Sequence, residues 1–87
     1  FKILHKNYYT KYGEIDIVAI KDRVIHFIEV KSAKRFEPSQ NLTKTKLNRI
    51  INSINVYIKS FNITMPYSLD VVLIRDGDIE YIENITF

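Results

Sequence analysis

The sequence predicts a single α/β domain with a mixed β-sheet, one flanking helix and the element order βββαββ. Apolar runs of strand length, rich in β-branched residues, occur in both halves of the chain, and a segment between them has helical periodicity. The 87 residues suffice for one hydrophobic core but not for two. We therefore treat residues 1–87 as one domain.

The first half of the chain predicts three consecutive strands. Phe1 to Tyr9 alternates weakly and is followed by a break at residues 10–13. Glu14 to Ile20 is a β-branched run, and a second apolar run, Val24 to Lys31, follows the polar turn Lys21-Asp22-Arg23. Two such runs with a short link predict a β-hairpin.

The second half predicts a polar loop over residues 32–41, a helix from Thr43 to Phe61 and a closing hairpin. The helix is indicated by its apolar face, with polar residues on the other sides. The apolar positions are Leu47, Ile50, Ile51, Ile54, Ile58 and Phe61; the polar ones are Lys46, Arg49, Asn52, Ser53 and Lys59. Tyr67 to Arg75 predicts a strand, and Asp76-Gly77 is a strong turn signal before Ile79 to Phe87.

Composition excludes several classes of protein. The chain has no cysteine, so it has neither disulfides nor a thiolate metal site. No apolar run approaches the roughly 20 residues that span a bilayer, and we expect no secretory leader because no charged-then-apolar segment precedes a cleavage site. We therefore expect a cytoplasmic protein that does not enter a membrane.

The middle of the chain is basic, although the net charge is only +3. Between Glu29 and Ile50, a single acidic residue, Glu37, opposes a cluster of lysines and arginines. Such clustering suits the phosphate backbone of DNA, and a solvated surface is the alternative interpretation. The candidate nucleic-acid-binding residues are Lys34, Arg35, Lys44, Lys46 and Arg49.

Two acidic residues are expected to meet across the first hairpin. Side chains two residues apart share one face of a strand, which pairs Glu14 with Asp16 and Glu29 with Lys31. A turn of two or four residues would place Asp16 opposite Glu29 and Glu14 opposite Lys31. A three-residue turn would shift this parity, but its usual form needs a glycine that is absent here.

Directly opposed carboxylates destabilise a sheet unless something neutralises them. Acidic pairs at that spacing suit a hard divalent cation such as Mg²⁺, and Lys31 would then lie beside the metal. The alternative is that Glu29 and Lys31 mark a strand running into solvent, with Asp16 paired to a lysine. Asp70 interrupts the apolar run from Leu69 to Ile74, and it either supports the same site or is a hydrogen-bonded structural acid.

The segments Gly13-Glu-Ile-Asp-Ile-Val-Ala19 and Phe27-Ile-Glu-Val-Lys31 resemble the GEID(x)A and EVK motifs of the YraN-like bacterial family. That family is similar to archaeal Holliday junction resolvases and to the PD-(D/E)xK nucleases. The resemblance covers nearly the whole chain and implies a restriction-endonuclease-like core. The family's first helix is absent before Phe1, which implies an N-terminally truncated domain.

The resemblance implies roles for individual residues. Asp16 and Glu29 would bind Mg²⁺ or Mn²⁺, Lys31 would be the catalytic lysine, and the Val30 carbonyl would complete the metal shell. Glu14 and Asp70 remain secondary candidates. The implied activity is hydrolysis of DNA phosphodiester bonds, at branched or junction structures, by a homodimer.

Two other functions stay open at this point. A nucleic-acid-binding module without catalysis would keep the basic surface and bind DNA without needing Asp16 or Glu29. A protein-interaction domain would show no salt-dependent affinity for DNA.

Overall fold

A computed structural model describes residues 1–32 and 44–85, which form a five-stranded mixed sheet and one helix. The elements are β1 (Lys2–Thr10), β2 (Gly13–Lys21), β3 (Val24–Ser32), α1 (Lys44–Ser60), β4 (Tyr67–Arg75) and β5 (Asp78–Ile82). The α/β class and the order βββαββ are thus confirmed. The loop predicted over residues 32–41 falls, after Ser32, outside the described residues.

The strands lie in the sheet in the same order as in the chain. β3 and β4 run parallel, whereas the other three neighbouring pairs are antiparallel. A parallel pair needs a crossover connection, and α1, which packs over β2 and β1, lies within it. The carboxyl ends of β3 and β4 therefore meet at the same edge of the sheet. Within the described ranges, no helix is long and apolar enough to cross a membrane.

The core lies between α1 and one face of the sheet, and it differs from the predicted helix face at three positions. Phe61, expected on the apolar face, follows the end of α1 and is 46% exposed. Ser53, expected on a polar side, is buried, and its hydroxyl lies 2.8 Å from Thr10 Oγ1. Tyr57 is also buried, and its hydroxyl hydrogen-bonds to His5 Nδ1 at 2.7 Å. Both polar groups are buried because β1 supplies their partners. The buried cluster consists of Ile15, Val18, Ile25, Phe27, Ile50, Ile54, Tyr57 and Leu69.

Asp70 joins three strands on the opposite face of the sheet. Its fully buried carboxylate accepts hydrogen bonds from His26 Nδ1 at 2.6 Å, Ser68 Oγ at 2.9 Å and the Tyr81 hydroxyl. The backbone N–H of Asn84 donates a fourth, at 2.9 Å. Burial by itself raises the pKa of Asp70, but these four donors outweigh it and leave the pKa below its ordinary value. Asp70 is therefore a hydrogen-bonded structural acid.

The last strand is shorter than predicted. It was expected to run from Ile79 to Phe87, but β5 ends at Ile82. The backbone N–H of Asn84 is directed to the Asp70 side chain instead of to a backbone carbonyl of β4, and Asn84 has a φ of 57°. This left-handed backbone conformation is incompatible with a continuing strand. The regular ladder therefore ends before Asn84, although the backbone N–H of Ile85 still donates to the Leu69 carbonyl of β4 at 2.7 Å.

Two tight turns give opposite expectations for glycine substitution. Asp22 and Arg23 have φ values of 51° and 65°, and Asp76 and Gly77 have 42° and 87°. A residue with a Cβ is strained at such angles by about 1 kcal/mol. Arg23→Gly should therefore raise the free energy of unfolding by about that amount, measured by urea denaturation. Gly77→Ala should lower it similarly, because a Cβ there meets nothing within 4 Å and adds only backbone strain. A change of the opposite sign in either variant would contradict this account.

Removing the Asp70 carboxylate should destabilise the whole sheet. Asp70→Asn should lower the free energy of unfolding by about 3 kcal/mol, because an amide cannot accept all four hydrogen bonds. Ser68→Ala is the matched control, since it removes one of the four donors and should lose only about 1 kcal/mol. The two values come from urea denaturation. Equal losses would show that Asp70 does not organise the network.

Candidate functional site

The pairing of β2 with β3 follows the register expected from the sequence. The turn consists of Asp22 and Arg23, and the ladder extends from the pair Lys21 and Val24 to the pair Ile17 and Ile28. Continuing this register by one residue places Asp16 opposite Glu29. The ladder ends before Glu14 and Lys31, so their expected pairing lies beyond the paired part of the hairpin.

The alternation of side chains along β2 is interrupted at Asp16. Ile15 and Val18 are both buried in the core under α1, although residues three apart lie on opposite faces of a regular strand. The expectation that Glu14 and Asp16 share a face depended on regular alternation through this point. The shared face expected for Glu14 and Asp16 is therefore not set by strand alternation alone.

β1 is interrupted at the same level. The rings of His5 and Tyr8 both contact the ring of Tyr57, at centroid distances of 5.4 Å and 4.9 Å. His5 and Tyr8 are also separated by three positions, so a regular strand would place them on opposite faces. Between them lies Asn7, whose φ of 52° is left-handed. The β1–β2 ladder passes from the pair Lys6 and Ile17 to the pair Tyr8 and Ile15, so Asn7 and Asp16 stand at the one position between.

Asp16 connects to β3 through two hydrogen bonds. Its Oδ2 accepts the backbone N–H of Val30 at 2.8 Å. Its own backbone N–H donates to the Glu29 carboxyl group. These bonds follow directly after the last ladder pair, Ile17 and Ile28. They fix the orientation of the Asp16 carboxylate and hold it next to Glu29.

Glu29 is a buried carboxyl group that lacks a full set of partners. It is only 6% exposed, and its Oε1 has no hydrogen-bond partner among the described residues. On the β4 side it lies beside buried Val71. Burial, followed by the negative charge of Asp16, raises the pKa of Glu29 to about 7. The Lys31 ammonium opposes this shift, and the charge of Glu14 adds to it slightly.

The four residues therefore form one electrostatic group around Glu29. Glu14, Asp16 and Lys31 are each half-buried, and each acts on the charge of Glu29. Lys31 lies beside buried Leu73 on β4, which limits the room for its side chain. The grouping of acids with one lysine is the arrangement that metal-assisted phosphate chemistry requires.

The oxygen atoms around Glu29 offer few ligands for a divalent cation. Across residues 1–32 and 44–85, no three His, Asp or Glu side chains are grouped so as to hold a metal ion. Mg²⁺ commonly takes one or two carboxylates and completes its shell with water and phosphate oxygens. The unpartnered Oε1 of Glu29 and the carboxylate of Asp16 fit that requirement. Val30, between Glu29 and Lys31, is exposed.

The basic candidates fall into two groups. Lys46 and Arg49 line a cavity of about 170 Å³ together with Glu14, so α1 brings them to the start of β2. Lys44 is exposed at the first residue of α1. Lys34 and Arg35 lie outside the described residues.

Asp70 is not brought to the site. In the parallel register it lies beside Ile28, so it is on the face opposite Glu29, where it bonds to His26. A cavity of about 550 Å³ adjoins His26 and Ser68 on that face, but neither Asp16 nor Glu29 lines it. The secondary candidacy of Asp70 therefore has no geometric support.

Sequence reasoning missed two residues beside Asp16. Lys6 and Asn7 line a cavity of about 480 Å³ together with Asp16, Ile17 and Val30. No periodicity in the sequence marks them, because their placement depends on the irregular β1–β2 pairing. An asparagine inside a strand, a poor strand former, was the only local signal.

The pKa of Glu29 predicts a pH-dependent stability. Because its pKa in the folded protein is raised above the ordinary value of 4.5, its stabilising contribution is present at low pH and lost as the pH rises through about 7. Urea denaturation in EDTA should therefore show that Glu29→Gln gains stability relative to the wild type between pH 5 and pH 8. The difference isolates Glu29, since Glu14, Asp16, Lys31 and all other groups are common to both proteins. A difference that is the same at both pH values would contradict the assignment.

Comparison with known proteins places the chain. The sequence model of the uncharacterised protein family UPF0102 matches residues 1–74. A UPF0102 protein of Helicobacter hepaticus is 49% identical over 86 residues, covering 99% of this chain and 78% of the relative. One of Wolinella succinogenes is 50% identical over 86 residues, covering 99% and 80%. One of a Sulfurovum species is 49% identical over 88 residues, covering 99% and 78%. The chain therefore belongs to the UPF0102 family, which is the YraN family indicated by its GEID and EVK motifs.

Proposed function

We propose that this chain is a metal-dependent nuclease domain that hydrolyses DNA phosphodiester bonds. Its active site consists of Asp16, Glu29 and Lys31. The observation that carries the proposal is the unpartnered Oε1 of buried Glu29, next in register to Asp16 and coupled to Lys31. Leaving a buried acceptor unsatisfied costs about 1–3 kcal/mol. Perturbed carboxyl groups of this kind are typical of functional sites.

Asp16 and Glu29 are the residues that would hold Mg²⁺ or Mn²⁺, with the Val30 carbonyl as a further oxygen donor. When bound, such a cation neutralises charge on a phosphate group and favours the ionisation of water. The hydrogen bond from the Val30 N–H keeps the Asp16 carboxylate in one orientation, which preorganises the site. The backbone N–H of Asp16 does the same for Glu29.

Lys31 supplies the positive charge of the reaction. Its ammonium group lies close enough to stabilise the charged form of Glu29. In the same position it would stabilise negative charge that develops on the phosphate and orient the attacking water. Lys31 is half-buried beside Leu73, so its charge is less screened by solvent than that of a fully exposed lysine.

DNA is the substrate that the surrounding charges favour. Lys46 and Arg49 lie near Glu14 at the start of β2, and Lys44 precedes them on the same helix. Such residues hold backbone phosphates and set the register of DNA on a protein. Branched or junction DNA and a homodimeric enzyme follow from the resemblance to resolvases. A two-fold dimer would present two sites to two strands.

The test is cleavage of labelled four-way-junction, flap, single-stranded and duplex DNA in Mg²⁺ or Mn²⁺. Lys31→Ala should lower the cleavage rate by about 100-fold or more, because it removes a group that stabilises the transition state. Lys59→Ala, in the last turn of α1, is the matched control and should retain the wild-type rate. A chelator should abolish cleavage, and circular dichroism verifies that the variants are folded.

The failures point to different functions. Absent cleavage, with salt-sensitive DNA binding that survives Asp16→Ala and Glu29→Ala, would indicate a non-catalytic nucleic-acid-binding module. Absent salt-dependent binding to every DNA would indicate a protein-interaction domain. Equal cleavage by the wild type and Lys31→Ala would refute the assigned role of Lys31.

A further inference from the structure

We infer that the cavity beside Asp16 is a subsite for a backbone phosphate of DNA, in which Lys6 supplies the charge and Asn7 a neutral donor. The inference rests on the proposed function, since it adds a second contact to the same substrate. It concerns residues of β1, which lies on the far side of β2 from Glu29 and Lys31.

The cavity lies where one pair is missing from the β1–β2 ladder. Lys6 stands opposite Ile17 in the register, and Asn7 and Asp16 occupy the next position. Together with Val30 they line an open space of about 480 Å³. Asp16 is thus shared between this space and the acidic group formed with Glu29. A phosphate in the cavity would lie directly against the candidate metal ligand.

Lys6 supplies the positive charge of the cavity, and Asp16 supplies a negative one. Lys6 is exposed, and in the part of the chain that the structure describes, no carboxylate lies within ion-pair distance of it. The other charged group lining the cavity is Asp16. A cation bound by Asp16 would neutralise that charge and leave the cavity positive. A phosphodiester carries the one negative charge that such a space would accept.

Asn7 fits the same interpretation. Its φ of 52° is unusual inside a strand, and the other described non-glycine residues with positive φ all lie in turns or beyond the ends of elements. Asparagine tolerates this conformation better than most residues. Backbone strain of this kind concentrates at functional sites. The Asn7 amide offers N–H donors of the type that contact phosphate oxygens.

The subsite extends the surface available to DNA. Lys46 and Arg49 share a cavity with Glu14, and Lys6 shares one with Asp16. The first cavity is lined by Ile50 and Ser53 and lies on the α1 side of the sheet, whereas Ile17 and Val30 place the second on the opposite face. The proposed phosphate contacts therefore come from both faces of the sheet, instead of coming only from α1.

The experiment measures DNA binding against salt concentration, without metal and without cleavage. All variants carry Asp16→Asn, which neutralises the cavity but keeps an oxygen for the Val30 N–H. A labelled DNA duplex is the probe, in EDTA. Adding Lys6→Ala should lower the slope of log K against log salt by about 0.9, the value for one lost phosphate contact. Lys6→Arg should retain the slope, because it keeps the charge.

Lys2→Ala is the matched control, since Lys2 lies on the same strand, is also exposed and does not line the cavity. It should leave the slope unchanged. The inference is overturned if Lys6→Ala leaves the slope unchanged, or if Lys2→Ala lowers it equally.

Asn7→Gly keeps the backbone conformation and removes the amide, so it should weaken binding at every salt concentration without changing the slope. Unchanged affinity would remove Asn7 from the subsite.

The two proposals fail in different ways. Suppose that the wild-type protein does not cleave DNA, but Lys6→Ala still lowers the slope of log K against log salt. This result would refute the nuclease and retain the phosphate subsite. Suppose instead that the wild-type protein cleaves DNA, but Lys6→Ala leaves the slope of log K against log salt unchanged. This result would retain the nuclease and refute the subsite.

Discussion

The register between β2 and β3 is the constraint on which the candidate site depends. β3 is paired on both sides, with β2 antiparallel and β4 parallel, and Ile25 and Phe27 are completely buried in it. Because side chains alternate with a period of two, a slip of one residue would expose that core face and separate Asp16 from Glu29. The two-residue turn at Asp22 and Arg23 and the burial of β3 therefore specify the same pairing. The acidic group is held by the most strongly determined part of the sheet.

Two buried carboxyl groups show opposite solutions to the same physical problem. Asp70 has four donors, and they lower its pKa despite complete burial. Glu29 has the Asp16 N–H, an adjacent negative charge and one oxygen without a partner, and its pKa is raised to about 7. The difference lies in the number of donors and the sign of the nearest charge, not in burial. Asp70 is satisfied within the protein, whereas Glu29 retains an unused acceptor.

Local rules predicted the hairpin but not the details that depend on distant partners. The absence of a glycine for a three-residue turn was enough to obtain the register, because turn length sets the parity of both strands. Burial of Ser53 and Tyr57 could not be obtained in this way, since it depends on Thr10 and His5 in β1. The hydrogen bond from the Val30 N–H to Asp16 could not be predicted from the sequence either. It depends on the irregular backbone at Asp16, and the matching irregular residue, Asn7, lies on another strand.

Three departures from regular structure lie at one level of the sheet. Asn7 has a left-handed backbone inside a strand, Asp16 falls out of the alternation of β2, and Glu29 buries an oxygen without a partner. Each is unfavourable by itself, and each has a different physical origin: backbone strain, lost strand geometry and lost solvation. They occur on three adjacent strands, linked through Asp16. Since local rules are broken mainly where function requires it, their convergence supports this level of the sheet as the functional site more strongly than any one of them.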